Sequence, residues 1–145
     1  MTFAIVHDLA IRTRPDVVFA AVSTPAGLDS WWTETCSGLA QPDAVYALGF
    51  GGDFQWQAKV VSLAPGTSIT FEMTDAADDW LGTTISFRLE PAGDAQTILH
   101  FRHEGWAEQS DHFRGSSYCW AMYLRLLRLY CETGTVTPYD DRYFA

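Results

Sequence analysis

The sequence predicts an α+β domain: a curved six-stranded antiparallel sheet wrapped around a long C-terminal helix, with two short helices between the first and second strands. Three observations carry this. Apolar residues alternate through six short segments separated by tight-turn residues, the pattern of antiparallel neighbours covered on one face. One stretch, 110–133, carries apolar residues at helical spacing and ends on Gly134. The 145 residues contain no repeat and no Pro/Gly-rich linker, so 1–145 reads as one domain, with 135–145 as a C-terminal tail.

In the first segment Phe3, Ile5, His7, Leu9 and Ile11 share one face of a strand. Pro15 suits the first turn of a helix that carries Val17, Val18, Phe19 and Val22. Thr24-Pro25 starts a second short helix, which ends at Trp31-Trp32. Val45 to Phe50 and Phe54 to Val61 flank Gly51-Gly52-Asp53, a hairpin turn. Pro65-Gly66 is the next turn. Ile69, Phe71 and Met73 then alternate with polar residues, and Asp75, Asp78 and Asp79 mark a loop. Ile85, Phe87 and Leu89 form a fifth strand, and Leu99, Phe101 and His103 a sixth that ends at Gly105.

The last helix runs about 36 Å at 1.5 Å per residue, long enough to cross the sheet. Phe113, Ser116, Ser117, Tyr123, Leu124, Leu127 and Cys131 cluster around the direction of Trp120. Cys119, Met122, Leu126, Leu129 and Tyr130 form a second apolar arc. One sheet covers only the first arc. Either the tail or a second subunit covers the other, and a twofold dimer is the commonest oligomer.

Composition narrows the function. Hydrophobic residues are 48% and aromatics 14%, enough for a packed core and unlike a disordered chain. Nine basic residues against eighteen acidic give a net charge of -9, which argues against nucleic acid and anionic membranes as partners. No apolar run approaches the ~20 residues of a membrane span, and Met1 to Ile11 lacks the features of a signal peptide. The expectation is a cytoplasmic protein. Three cysteines without a CxxC fit a reducing compartment. Cys119 and Cys131 lie about 18 Å apart along one helix, too far to bridge.

A curved sheet gripping a helix must fill its interior with side chains or leave a cavity. The candidate inward residues are Phe54, Trp56, Phe71, Met73, Phe87, Phe101 and Trp120, beside the smaller or polar Ala58, Ser116, Ser117 and His103. Apolar walls with a few polar groups suit a small-molecule site. His103 is inward by parity, and its neutral-range chemistry fits proton transfer or recognition of a ligand oxygen. The competing reading is a core histidine bonded to a neighbour. Tyr123 offers a phenol, and Trp32 stands near the expected mouth as a stacking wall. His100 has the opposite parity to His103, so the two cannot chelate one ion, and no metal or cofactor is expected. His7 is inward if the first strand lies beside the last. Arg102 and Glu104 read as a solvated outer pair. No Gly-x-Ser-x-Gly elbow occurs, and Gly49-Phe50-Gly51-Gly52 precedes a strand rather than the helix of a phosphate loop.

The run Pro15-Asp16-Val17-Val18-Phe19-Ala20-Ala21-Val22, then Thr24-Pro25 and Leu28 to Trp31-Trp32, resembles the start of the SRPBCC (START-like, helix-grip) superfamily. Gly51-Gly52-Asp53-Phe54, Thr97 to His103 running into Glu104-Gly105-Trp106, and Tyr130-Cys131-Glu132-Thr133-Gly134 look most like its branch named after the heat-shock-protein ATPase activator's C-terminal domain. Asp53 stands where that branch often carries a basic residue, and the tail through Pro138, Tyr139, Tyr143 and Phe144 is long and aromatic. The resemblance implies a helix-grip fold around a hydrophobic cavity. Its members include apolar-ligand binders, polyketide cyclases and chaperone ATPase activators, so it fixes fold better than activity.

Three functions follow as expectations. The first is binding of a small apolar or aromatic ligand by Trp32, Phe54, Trp56, Phe71, Met73, Phe87, Phe101, His103, Ser116, Trp120 and Tyr123. The second is a cyclase- or hydrolase-like enzyme with His103 as general acid or base. The third is an interaction module for a chaperone or other partner. A homodimer through the C-terminal helix is compatible with each.

Overall fold

Side-chain alternation sets the sheet, and the computed structural model, which describes residues 1–52 and 54–145, places its strands in one layer. Asp53 lies outside the described residues, and with it the contrast to the branch's basic residue. The elements are β1 (Phe3–Ile11), α1 (Pro15–Ser23), α2 (Pro25–Asp29), β2 (Thr35–Ser37), β3 (Val45–Gly49), β4 (Gln55–Ala64), β5 (Ser68–Asp75), β6 (Thr84–Pro91), β7 (Thr97–Trp106), α3 (Asp111–Thr133) and a 3₁₀ turn, Tyr139–Phe144. The sheet order is β1-β7-β6-β5-β4-β3-β2, antiparallel throughout. β1 and β2 are its edges, so the sheet is unclosed. Irregularities at Phe3/Ala4, Gln57/Ala58 and Val60/Ser62 interrupt the ladders. Such bulges bend a strand and increase its twist.

The sheet has seven strands among the described residues rather than six. The extra one, Thr35–Ser37, pairs with Gly49 to Ala47. Three residues are too few to display alternation, so periodicity cannot reveal it. β7 also runs past Gly105 to Trp106, because Trp106 pairs with Phe3. Elsewhere the inward positions are as alternation demands: Ile69, Phe71, Met73, Ile85, Phe87, Leu89, Leu99, Phe101 and His103 are all buried. Phe54 departs from its expected inward place. It keeps the parity of Trp56 and Ala58 but sits on the hairpin before β4 begins, beyond the covering layer, and is 64% exposed.

Three helices cover the inner face. Thr24 ends α1 and caps α2, its hydroxyl accepting from the Gly27 amide at 3.0 Å. The two helices meet so closely that a Cβ on Gly27 would lie 2.3 Å from the Ala20 carbonyl oxygen. Ser110 caps α3 by accepting from the Phe113 amide, and Gly134 closes it in the left-handed conformation at φ 75°. α1 packs on β5 and β6, and α3 packs on β1 and α1. Trp120, Leu124 and Leu127 of α3 are buried against the sheet side.

The second apolar arc of α3 is partly covered. Leu126 is buried, Cys119, Met122 and Tyr130 are half-buried, and Leu129 is exposed. The tail returns through Arg142 and the half-buried Tyr139, over whose ring the guanidinium lies at 5.4 Å. The guanidinium donates to the carbonyls of Asp29 at 2.6 Å, Thr33 at 3.0 Å and Thr137 at 2.9 Å. Tyr143 and Phe144 remain exposed. No helix of the described residues is long and apolar enough to cross a membrane.

Candidate functional site

The space between sheet and α3 is filled largely by aromatic rings. Phe101 packs on Phe87 at 5.5 Å and on Trp120 at 4.6 Å, and Trp31 meets Phe87 edge-on. Phe71, Met73, Phe87 and Phe101 belong to this solid core. Beside the first half of α3 a cleft of ≈ 270 Å³ stays open, and a smaller one of ≈ 200 Å³ lies between β1 and α3. Trp32 and Trp80 flank the larger cleft, and α3 contributes His112, Gly115, Ser116, Cys119, Trp120 and Tyr123.

Each wall has a local cause. Trp32 leaves the end of α2, where its amide still bonds the Leu28 carbonyl, and its ring packs on Trp120 at 5.0 Å and Phe50 at 5.3 Å. Its neighbour Trp31 stacks on it at 6.1 Å from within the core, donating its indole N–H to the Ala21 carbonyl. Trp80 comes from the loop joining β5 to β6. That loop is pinned by Gly82 N–H to Met73 O at 2.8 Å and Trp80 N–H to Ala77 O at 2.9 Å. Trp80 is therefore buried although it belongs to no strand, stacked on Trp120 at 6.0 Å with Trp56 behind it at 5.0 Å. Gly115 and Ser116 are small, and they leave the gap between these rings.

His103 stands behind the cleft, fully buried. Trp120 Nε1 donates to its Nδ1 at 3.0 Å, so Nδ1 is an acceptor and Nε2 carries the proton of the neutral ring. Nε2 then donates to Thr83 Oγ1 at 2.8 Å, and that hydroxyl donates to the Trp80 carbonyl at 2.5 Å. Burial, with a smaller contribution from His112, pushes the His103 pKa down to about 3. Both ring nitrogens are spent on the protein. This counts against a general-acid or general-base role and makes His103 the hub that fixes Trp120 and the Trp80 loop.

Of the residues singled out from sequence, Trp32, Ser116, Trp120 and Tyr123 meet at the cleft, with His103 behind Trp120. Trp56 backs Trp80, and Phe54 stands apart in solvent. Burial raises the pKa of the Tyr123 phenol and the Cys119 thiol, so both present neutral groups. His7 is inward, stacked on Phe101 at 6.2 Å, with a buried Nε2 that has no partner. On the outer face His100 bridges Asp8 and Glu90, and Arg102 pairs with Glu104.

Sequence reasoning missed His112, Asp79 and Trp80. His112 Nδ1 lies 2.8 and 2.9 Å from the two Asp79 carboxylate oxygens, tying α3 to the β5–β6 loop across 33 residues of sequence. No periodicity links a loop acid to a helix N-terminus; the one available signal was His112, Ser116 and Cys119 sharing a helix face.

A larger groove, ≈ 600 Å³, runs along the outside of α3. Met122, Leu126 and Leu129 line it together with Arg125, Arg128 and Glu132. Its charged, open lining suits a protein surface better than a small apolar molecule.

A family model described as "Activator of Hsp90 ATPase homolog 1-like protein" matches residues 12–132. The chain is similar to the Aha1 dimer of Colwellia psychrerythraea solved in solution, at 30% identity and TM-score 0.81, over 91% of this chain and 98% of that one. It shares its fold with protein SSP2350 of Staphylococcus saprophyticus, at 17% identity and TM-score 0.78, over 93% of this chain and 96% of that one. It also shares it with CalU16 of Micromonospora echinospora, at 18% identity and TM-score 0.73, over 96% of this chain and 82% of that one. No curated protein matches the sequence.

Proposed function

The chain belongs to the family of Activator of Hsp90 ATPase homolog 1-like proteins, of the SRPBCC type, and from that premise we propose that it binds a small apolar or aromatic ligand in the cleft beside α3. The observation that carries this reading is the wall itself. Trp32, Trp80 and Trp120 surround a gap of ≈ 270 Å³ floored by the small residues Gly115 and Ser116. A gap below the usual ~300–1,000 Å³ of drug-sized sites calls for one or two fused rings. An indole-sized ring buries about 200 Å². At ~25 cal/mol per Å² that is about 5 kcal/mol before the entropic cost of association. The corresponding affinity is submillimolar at best. His103 serves this site by holding the indoles in place rather than by moving protons, so the ligand reading ranks above a cyclase or hydrolase using His103.

The test is a screen of small aromatic probes followed by native mass spectrometry. Stoichiometric 1:1 adducts that Gly115→Leu abolishes support the reading. A protein that takes up none of the probes overturns it.

The outer groove favours a second role for α3. It supports a homodimer in which Leu126 and Leu129 pack against a second copy, as does the dimeric state named for the Colwellia psychrerythraea relative. Arg125 and Arg128 lie within one turn or two of Glu132, so antiparallel helices would set opposite charges against each other. Sedimentation of the protein beside Leu129→Asp tests this: a wild-type dimer that the substitution splits supports it, and a wild-type monomer removes it. Modulation of a chaperone is the third reading, supported by the family description alone, and co-sedimentation with an Hsp90-type ATPase checks it.

A further inference from the structure

We propose that the cleft selects ligands carrying a hydroxyl donor, a phenol or an enol, and that His112 reads that hydroxyl with Asp79 as its positioning residue. The inference rests on the cleft being the ligand site.

Asp79 presents both carboxylate oxygens to His112 Nδ1, at 2.8 and 2.9 Å. An ionised carboxylate only accepts hydrogen bonds, so Nδ1 must carry a proton. In the neutral imidazole this leaves Nε2 with its lone pair bare, an acceptor. Nε2 makes no hydrogen bond to any side chain or backbone group among the described residues, and the ring lines the cleft. The ring is also held in place, stacked on Trp80 at 6.1 Å and edge-on to Trp106 at 6.0 Å.

Two of the wall's indole donors are already taken. The Trp80 indole N–H is spent on Ser116 Oγ at 3.3 Å, and the Trp120 indole N–H on His103. A ligand carbonyl or ether therefore meets neither of these indole donors, whereas a ligand O–H meets a fixed acceptor. A flat ring between indoles, with its hydroxyl toward α3's first turn, satisfies both the apolar walls and the His112 acceptor. The His112 side chain is 46% exposed, so an analogue without the hydroxyl leaves this acceptor to water and forgoes one net hydrogen bond.

The experiment compares 2-naphthol, 2-methoxynaphthalene and naphthalene by quenching of tryptophan fluorescence at pH 8. The expected result is a Kd for 2-naphthol about fivefold below those of the two probes lacking a donor, the size of one net hydrogen bond. His112→Phe should bring the three Kd values together. Should that variant fail to fold, Asp79→Asn replaces it. The amide no longer fixes which nitrogen holds the proton, and the preference should shrink toward equality. Equal binding of all three probes by the wild type overturns the hydroxyl reading while leaving the cleft as a binding site. A preference that survives both substitutions overturns it as well. Quenching by none of the probes overturns the binding function itself, and the inference with it.

Discussion

Acid should destabilise this protein through His103. In the unfolded chain an imidazole takes up its proton near 6.5, whereas the buried ring between Trp120 and Thr83 resists protonation down to about 3. The folded-state value is the lower one. The unfolded state therefore binds the extra proton throughout the window from 6.5 to about 3, and stability falls as pH falls across it. Above 6.5 the contribution is fully present. The gap corresponds to about 5 kcal/mol at ~1.4 kcal/mol per pH unit, a large share of the ~5–15 kcal/mol of a whole domain. Urea titrations followed by tryptophan fluorescence at pH 7, 6, 5 and 4 read the slope directly, in wild type and in His103→Asn. Asparagine keeps an acceptor for the Trp120 indole but does not titrate. It should cost stability at pH 7 and lose most of the wild-type decline between pH 6 and 4. Parallel declines in the two proteins would refute the neutral, doubly bonded imidazole and with it the assignment of His103 as a structural hub.

Other consequences are checked as simply. Arg142→Ala removes three charge-assisted bonds to the carbonyls of Asp29, Thr33 and Thr137. It should cost about 2–3 kcal/mol in urea and open residues 135–145 to limited proteolysis. Arg142→Lys should not restore protection, because a single ammonium cannot reach three divergent carbonyls. Gly27→Ala places a methyl 2.3 Å from the Ala20 carbonyl oxygen and should cost about 1–3 kcal/mol, read as a lowered Tm. His100, held between Glu90 and Asp8, has a pKa raised chiefly by the Glu90 hydrogen bond and then by that to Asp8. Its stabilisation is present below the ordinary imidazole value and is lost as pH rises through the folded one. His100→Gln should therefore be less stable than wild type at pH 5.5 and indistinguishable from it at pH 9, by urea titration at both.

The architecture was legible because its causes are local. Two-residue alternation fixed which faces of β5, β6 and β7 point inward, and it placed His103 there correctly. The 3.6-residue period and the Gly134 cap bounded α3 to within a residue. β2 escaped because three residues show no period. Phe54 escaped because parity says nothing about whether a covering layer reaches the end of a strand.

The site was legible only in part. Ser116, Trp120 and Tyr123 were recoverable from the helix face they share, and Trp32 from its place at the end of a short helix. Trp80 was not, because its burial depends on a loop folded back by the Met73 and Ala77 carbonyls, and loop residues carry no parity. The Asp79–His112 pair is a contact between elements that only the closed tertiary structure brings together. Alternation could orient His103 but could not supply its partners. Trp120 lies 17 residues away and Thr83 lies 20, and those partners change its role from reagent to fastening.

The central claim is that a small aromatic ligand sits between Trp32, Trp80 and Trp120. A titration of ¹⁵N-labelled protein with unlabelled indole, followed through the tryptophan side-chain N–H and α3 backbone resonances, tests it most directly. Saturable shifts centred on Trp80, Ser116 and Trp120 are the expected result. Shifts confined to Met122, Leu126 and Leu129 on the outer groove, or no saturable shift at all, would contradict it.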